Sequence, residues 1–321
     1  MSTSHPIGGS VQTLTPELGS PTTMAGVPAP PTTRPADGSG APPLELPDAR
    51  AVMSKARLEN FRVASRALPP ELRSDLYALY GFARLVDDLG DEARGDRAAL
   101  LDWLDGDLDA LYAGRPQHEL MRRLQPTVLA HSIPPEPFRR LIAANRQDQQ
   151  VGRYETFEDL VGYCRLSADP VGHLVLYVFD SATPERMALA DRICTGLQLV
   201  EHIQDVAEDL ARGRVYMPRE DMRACGCSED ELRRRPAAQP VRRLIELEVT
   251  RARRLLAEGR PLARTLPWRA GLAVAGFVSG GMAALGAVER AGYDVLAGPP
   301  RAGGGRRAAA MASTLIHLTR S

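Results

Sequence analysis

From Pro47 onward, apolar residues recur three and four positions apart, as in Leu72, Leu76, Leu79, Tyr80, Leu85 and Val86. That period belongs to helices with one buried face. There is no sustained alternation of apolar and polar residues to predict a strand, and no strand–helix–strand rhythm. Prolines punctuate the pattern. Pro69 and Pro70 open one helix with Glu71 in its first turn, Pro134 and Pro135 open another, Pro170 breaks a third, and Pro218 closes a fourth. The pattern predicts about eight to ten helices between 48 and 318, with no internal repeat, in one all-α domain over residues 47–321.

Residues 1–46 break the rhythm. Pro, Gly, Ser and Thr fill 27 of these 46 positions, which carry four charges. Such a segment buries too little apolar surface to offset its ordering entropy and is expected to be a disordered tail. It lacks the charged start and apolar run of a signal peptide. Gly271 to Val288 is 18 residues without a charge. It barely reaches spanning length, and its many Gly and Ala favour a buried, closely packed helix.

Composition narrows the function. The 321 residues carry 40 basic and 40 acidic side chains, so net charge is zero, and aromatics make up 5%. This balance argues against broad nucleic-acid binding, which needs clustered cations. Lys55 is the single lysine. Cys164, Cys194, Cys225 and Cys227 are too few for a disulfide scaffold and wrongly spaced for zinc, and read as free cytosolic thiols. The expected location is the cytoplasm, with peripheral contact at the inner face of the membrane left open.

Two acidic clusters carry the chemistry. The first is Asp87-Asp88-Leu89-Gly90-Asp91-Glu92, preceded by Tyr80 and Arg84. On a helix Asp87 and Asp91 share a face, and their repulsion costs a few tenths of a kcal/mol when exposed. A divalent cation removes that cost. Hard oxygen ligands suit Mg²⁺, with Mn²⁺ as the substitute, and Arg84 one turn earlier can reach the same phosphate. The second cluster places Glu201, Asp205 and Asp209 four apart, after the apolar run Cys194 to Val200. Buried carboxylates demand a partner or a metal. Arg214 and Tyr216 follow directly and are candidate diphosphate contacts. Two acidic helix faces with nearby arginines, above an apolar cavity, suit a prenyl diphosphate whose leaving group the metals would pull away.

With both clusters in view, the chain resembles the squalene and phytoene synthases over roughly residues 52–318. Tyr80, Arg84, Asp87, Asp88 and Asp91 match the first family motif, and Leu197, Gln198, Asp205, Glu208 and Asp209 the second. Arg214, Tyr216 and Pro218 match the Arg-x-Tyr-x-Pro that follows it. The resemblance implies the isoprenoid-synthase fold, a single helical domain around a central active-site cavity. Details resemble the hydroxysqualene synthase subgroup: Glu59-Asn60-Phe61, the run from Tyr80 to Glu92, Tyr163-Cys164-Arg165, Ser167 to Gly172, and Gln204 before the second-motif Asp. Departures are Arg62, Asp169 and Glu201-His202-Ile203, where the subgroup usually has Pro, Asn and Asn-Phe-Trp.

The resemblance implies loss of diphosphate from presqualene diphosphate, rearrangement of the cation and capture by water, giving hydroxysqualene. Asp87, Asp91, Glu201, Asp205 and Asp209 would hold metal. Asn60, Phe61, Val171, Gly172 and Tyr80 would border the substrate, and Gln204 would orient the water. No nicotinamide is expected, and no G-x-G-x-x-G follows a strand. Presqualene diphosphate synthase, complete squalene synthase and phytoene synthase remain the alternatives, and neighbouring pathway enzymes are the expected partners. His202 and His173 read as satisfied histidines rather than ligands, and Trp103 and Trp268 as core.

Overall fold

The computed structural model describes residues 46–55 and 68–298. Nearly all of the predicted tail, together with Asn60, Phe61 and the segment after 298, lies outside the described residues. The described chain is helical. In order it forms α1 (Ala49–Lys55), α2 (Pro70–Asp87), α3 (Arg97–Tyr112), α4 (Glu119–Ala130), α5 (Glu136–Asp148), α6 (Phe157–Ser167) and α7 (Asp169–Val178). There follow α8 (Pro184–Gln204), α9 (Val206–Ala211), α10 (Arg219–Cys225), α11 (Gln239–Gly259), α12 (Leu262–Thr265) and α13 (Trp268–Arg290). A π-helical turn, Asp88–Glu92, continues α2, and a 3₁₀ turn spans Glu231–Arg233. The isolated bridge between Arg153 and Val215 is the sole β pairing among the described residues.

The described residues form more helices than expected: two helices are split at single residues, and short helices such as Leu262–Thr265 add to the number. Ala168 separates α6 from α7, and Asp205 separates α8 from α9. Pro170 sits in the first turn of α7, where its missing N–H costs nothing, so it opens a helix rather than breaking one. Pro218 likewise precedes α10 and opens it rather than closing its predecessor.

Local sequence explains the boundaries. Glu71 lies in the first turn of α2, favourable to the helix dipole. The Asp96 carboxylate accepts from the Ala99 N–H at 3.0 Å and caps α3. Thr156 and Asp159 cap α6 reciprocally, at 3.1 and 2.9 Å. The apolar stripe of α2 buries Leu76, Leu79, Phe82, Leu85 and Val86 against α4 and α5, with Phe82 edge-on to Phe138 at 4.9 Å.

The uncharged stretch after Trp268 became α13, which packs on α8 and α11. It is long and apolar enough to cross a membrane by length and composition, yet 61% of its most apolar window is buried inside the protein. A Cβ on Gly281 would lie 2.8 Å from Leu197 Cδ2 and 2.9 Å from Leu256 Cδ1. Small residues here permit three helices to meet closely, as the composition suggested. Trp103, packed against the core, meets expectation. Trp268 does not: it is 71% exposed, because it precedes the buried face of its helix.

Candidate active site

Both acidic clusters open onto one cleft of about 320 Å³. Asp87 and Asp91 reach it from the end of α2, and Glu201, Asp205 and Asp209 from the joint between α8 and α9. Arg214 and Tyr216, on the loop beyond, close the same wall. Arg214 bridges the clusters directly, its Nη2 lying 2.6 Å from Asp91 Oδ1 and its Nη1 3.4 Å from Oδ2. A guanidinium in this fork geometry fits planar oxyanions.

The first cluster is not a plain α-helix. Asp88–Glu92 widens to a π turn, in which the Ala93 N–H reaches back five residues to the Asp88 carbonyl at 2.8 Å. The expected four-residue stacking of Asp87 under Asp91 therefore does not apply. Gly90 presses on α5, and a Cβ there would stand 2.1 Å from Asn145 Oδ1. Gln149 Nε2 donates to the Gly90 carbonyl at 2.8 Å, and Asn145 Nδ2 lies 3.5 Å from Asp87 Oδ1. Arg84 points to the outer side of this turn. Its Nη2 pairs with Asp88 at 2.9 Å and Glu92 at 2.6 Å, so it braces the acidic segment instead of lining the cleft.

The second cluster breaks at Asp205, whose backbone leaves the helical region. The loop after α9 turns at Gly213 with φ of 80°, a left-handed conformation that favours glycine. Val215 N–H then donates to the Gly152 carbonyl at 2.9 Å, and this seam fixes Arg214 and Tyr216.

Crowding the acids shifts them. Burial, with the charges of Asp91 and Asp88, pushes the Asp87 carboxyl up to about 7 even though Asn145 and Arg84 pull it down. Protein atoms crowd the Asp87 carboxyl, yet the residue as a whole is exposed to water, and it borders the cleft. Burial and the neighbouring Asp205 likewise push Asp209 to about 7, and Asp205 itself is raised by burial. Among the described residues no three His, Cys, Asp or Glu side chains form a ready-made metal cage. Mg²⁺ needs none. It is held by one or two carboxylates, with waters and phosphate oxygens completing its shell, so these hard oxygen donors fit it.

The cleft also contains residues that the motifs did not single out as functional. Asp148, at the end of α5, accepts from Tyr163 Oη at 2.7 Å and from Tyr216 Oη at 3.4 Å, and burial raises it to about 6. His202 is buried, and its ring stacks on Tyr216 with centroids 3.9 Å apart. Burial drives it down to about 3, so the imidazole is neutral. Its Nε2 lies 3.4 Å from Gln198 Nε2, and both residues border the cleft together with Asn145 and Arg212. The aliphatic lining is confined to Leu141 and Ala144, so this space suits a charged head better than a hydrocarbon.

Besides Arg84, four expected residues lie elsewhere. Tyr80, Val171 and Gln204 are not among the cleft's walls, and Val171 faces outward on α7 at 40% exposure. Gly172 also stands apart. A Cβ there would meet Cys194 Sγ at 2.7 Å and Ala190 Cβ at 3.2 Å, so α8 approaches it closely. All four cysteines are free thiols, as expected, and His173 is satisfied by Asp191 at 2.7 Å.

Residues 55–308 match the profile of the family described as squalene/phytoene synthase. A hydroxysqualene synthase from Rhodopseudomonas palustris is 34% identical over 221 residues, 68% of this chain and 75% of that protein. A presqualene diphosphate synthase from Zymomonas mobilis is also 34% identical, over 57% of this chain and 64% of its own length. Among solved structures, squalene synthase HpnC from Alicyclobacillus acidocaldarius superposes with a TM-score of 0.73 at 46% identity, covering 77% of this chain and 93% of that one.

Proposed function

The chain belongs to the squalene/phytoene synthase family, and from that premise we propose that it is a hydroxysqualene synthase acting on presqualene diphosphate. The observation that carries this reading is the convergence of both acidic clusters and Arg214 on one cleft. Arg214, together with Arg212 on the same wall, binds the diphosphate. Asp87, Asp91, Glu201, Asp205 and Asp209 would hold Mg²⁺, which when bound neutralises the departing diphosphate and favours its loss.

The carbon–oxygen bond breaks with its electron pair leaving on the diphosphate. The resulting cation rearranges, water adds to it, and the water's proton is released. Tyr163, Tyr216 and His202 form an aromatic wall of the cleft, an electron-rich surface for a cation. A neutral His202 adds no competing positive charge. Gln198 and His202 are the polar pair in the cleft best set to hold the attacking water, a role that the sequence had suggested for Gln204. The enzyme would work in the cytoplasm, without nicotinamide, between enzymes that make presqualene diphosphate and consume hydroxysqualene.

The second reading, presqualene diphosphate synthase, is favoured by the equal identity to the Zymomonas mobilis relative. Product analysis separates them. Purified protein with Mg²⁺ and no nicotinamide is given presqualene diphosphate or farnesyl diphosphate. Hydroxysqualene from the former alone supports the first reading, and presqualene diphosphate from the latter supports the second. A C30 hydrocarbon, or no turnover of either substrate by folded protein, refutes both.

A further inference from the structure

We propose that the corner joining α12 to α13 is a docking surface for an anionic phospholipid membrane. Among the described residues, Trp268 is the most exposed of the large apolar side chains, at 71%. It stands at the very start of α13, with the Arg269 guanidinium 5.1 Å from its ring. A lone exposed hydrophobic residue is ordinary. The charge around this one is not. From Gly259 to Val288 the chain has no acid, but carries Arg260, Arg264 and Arg269, the last two exposed. Arg186 of α8 joins them, its Nη2 donating to the Thr265 carbonyl at 2.5 Å. The flanking acid Glu258 is occupied by Arg254 at 2.7 Å and Arg192 at 3.8 Å, which leaves exposed Glu185 at the start of α8 as the opposing charge.

Indole prefers the boundary between water and hydrocarbon, and arginines draw toward anionic headgroups within a Debye length. A protein of zero net charge gains no such attraction from its overall field, so the attraction must be local. The depth is also set by the fold. The helix buries Ala270, Gly271, Ala273 and Val274 inside the bundle, so only its tip can enter the interface. The contact is that of a protein lying on a bilayer, not crossing it. Its use rests on the proposed function, whose reactant carries long hydrocarbon tails and whose product is almost wholly hydrocarbon.

The test uses the indole itself. Trp103→Phe leaves Trp268 as the single tryptophan. Mixing with phosphatidylglycerol-rich vesicles is expected to shift its emission to the blue and to sediment the protein, while pure phosphatidylcholine does neither. Rising salt should release it. In the native-sequence protein, Trp268→Ala and the pair Arg264→Gln with Arg269→Gln should each weaken vesicle binding, the pair by roughly 30-fold at about fivefold per arginine. Melting temperature and turnover of detergent-dispersed substrate should stay unchanged in both variants. Absence of binding to anionic vesicles, or binding undiminished in Trp268→Ala, overturns the proposal. Either result leaves the product assay untouched, so the two ideas fail separately.

Discussion

Gly90→Ala tests whether the π turn is what delivers the first acids to the cleft. The added methyl would lie 2.1 Å from Asn145 Oδ1, 2.9 Å from its Cγ and 3.1 Å from its Cβ. The amide can rotate away, but Asn145 Cβ is fixed to α5, and the same amide also reaches Asp87. Relief therefore requires either moving the turn off α5 or breaking that link. Overpacking of this kind costs about 1–3 kcal/mol. At ~2–4 °C per kcal/mol for a domain of this size, melting should fall by roughly 2–12 °C. Displacing Asp87 and Asp91 should also lower kcat/KM by at least about 10-fold, since misplacement near 1 Å can cost a hundredfold. Asn145→Ala alone loses a modest hydrogen bond, ~1 kcal/mol. In the double variant the methyl occupies the space that the amide vacated, so the two costs should fall short of additive by ~1 kcal/mol or more. Melts and steady-state kinetics on the four proteins measure this. Gly90→Ala melting within ~0.5 kcal/mol of the parent, or strict additivity, refutes the packing argument.

Asp209→Asn should cut kcat/KM by about 100-fold or more and raise the Mg²⁺ needed for half activity, yet raise the metal-free melting temperature, because the native carboxyl is held near 7 by burial and Asp205. Glu248 is 1% exposed and shares Arg251 with Asp221, and burial lifts its carboxyl well above the ordinary 4.5. Above that pH the unfolded chain releases the proton while the native state keeps it, so stability falls as pH rises. Glu248→Gln should flatten that decline in melts across pH. His131 behaves oppositely. Burial lowers it, but Asp75 at 3.2 Å and Asp180 at 3.1 Å outweigh that and raise it above 6.5. Its contribution is present below 6.5 and fades as pH rises through the folded value. Asp180→Asn should weaken this dependence in the same melts.

Periodicity exposed the helical class, the buried face of α2 and the uncharged helix α13, because each depends on neighbours three and four apart in one chain segment. It also exposed the acids, which recur at that spacing. It misjudged their presentation, since both clusters leave ideal helix geometry where they act: a π turn after Asp87 and a break at Asp205. Neither departure has a local signature beyond Gly90, and the close contact with Asn145 that makes glycine necessary lies 55 residues away (145 − 90). The same non-locality hid Asp148. Its role follows from Tyr163 and Tyr216 donating to it, a pairing that no single helix contains.

The residues transferred by motif resemblance divide by place, not by charge. Asp87, Asp91, Glu201, Asp205, Asp209, Arg214 and Tyr216 meet in the cleft, while Arg84 turns away from it to Asp88 and Glu92. Tyr80, Val171, Gly172 and Gln204 do not meet there. Gly172 shows that packing alone can require a motif residue: a Cβ there would press on Cys194 and Ala190 of α8. A residue required by packing and one required by chemistry leave the same mark in a motif. The contacts tell them apart, and Gly172→Ala should therefore lower the melting temperature while leaving KM for the diphosphate unchanged.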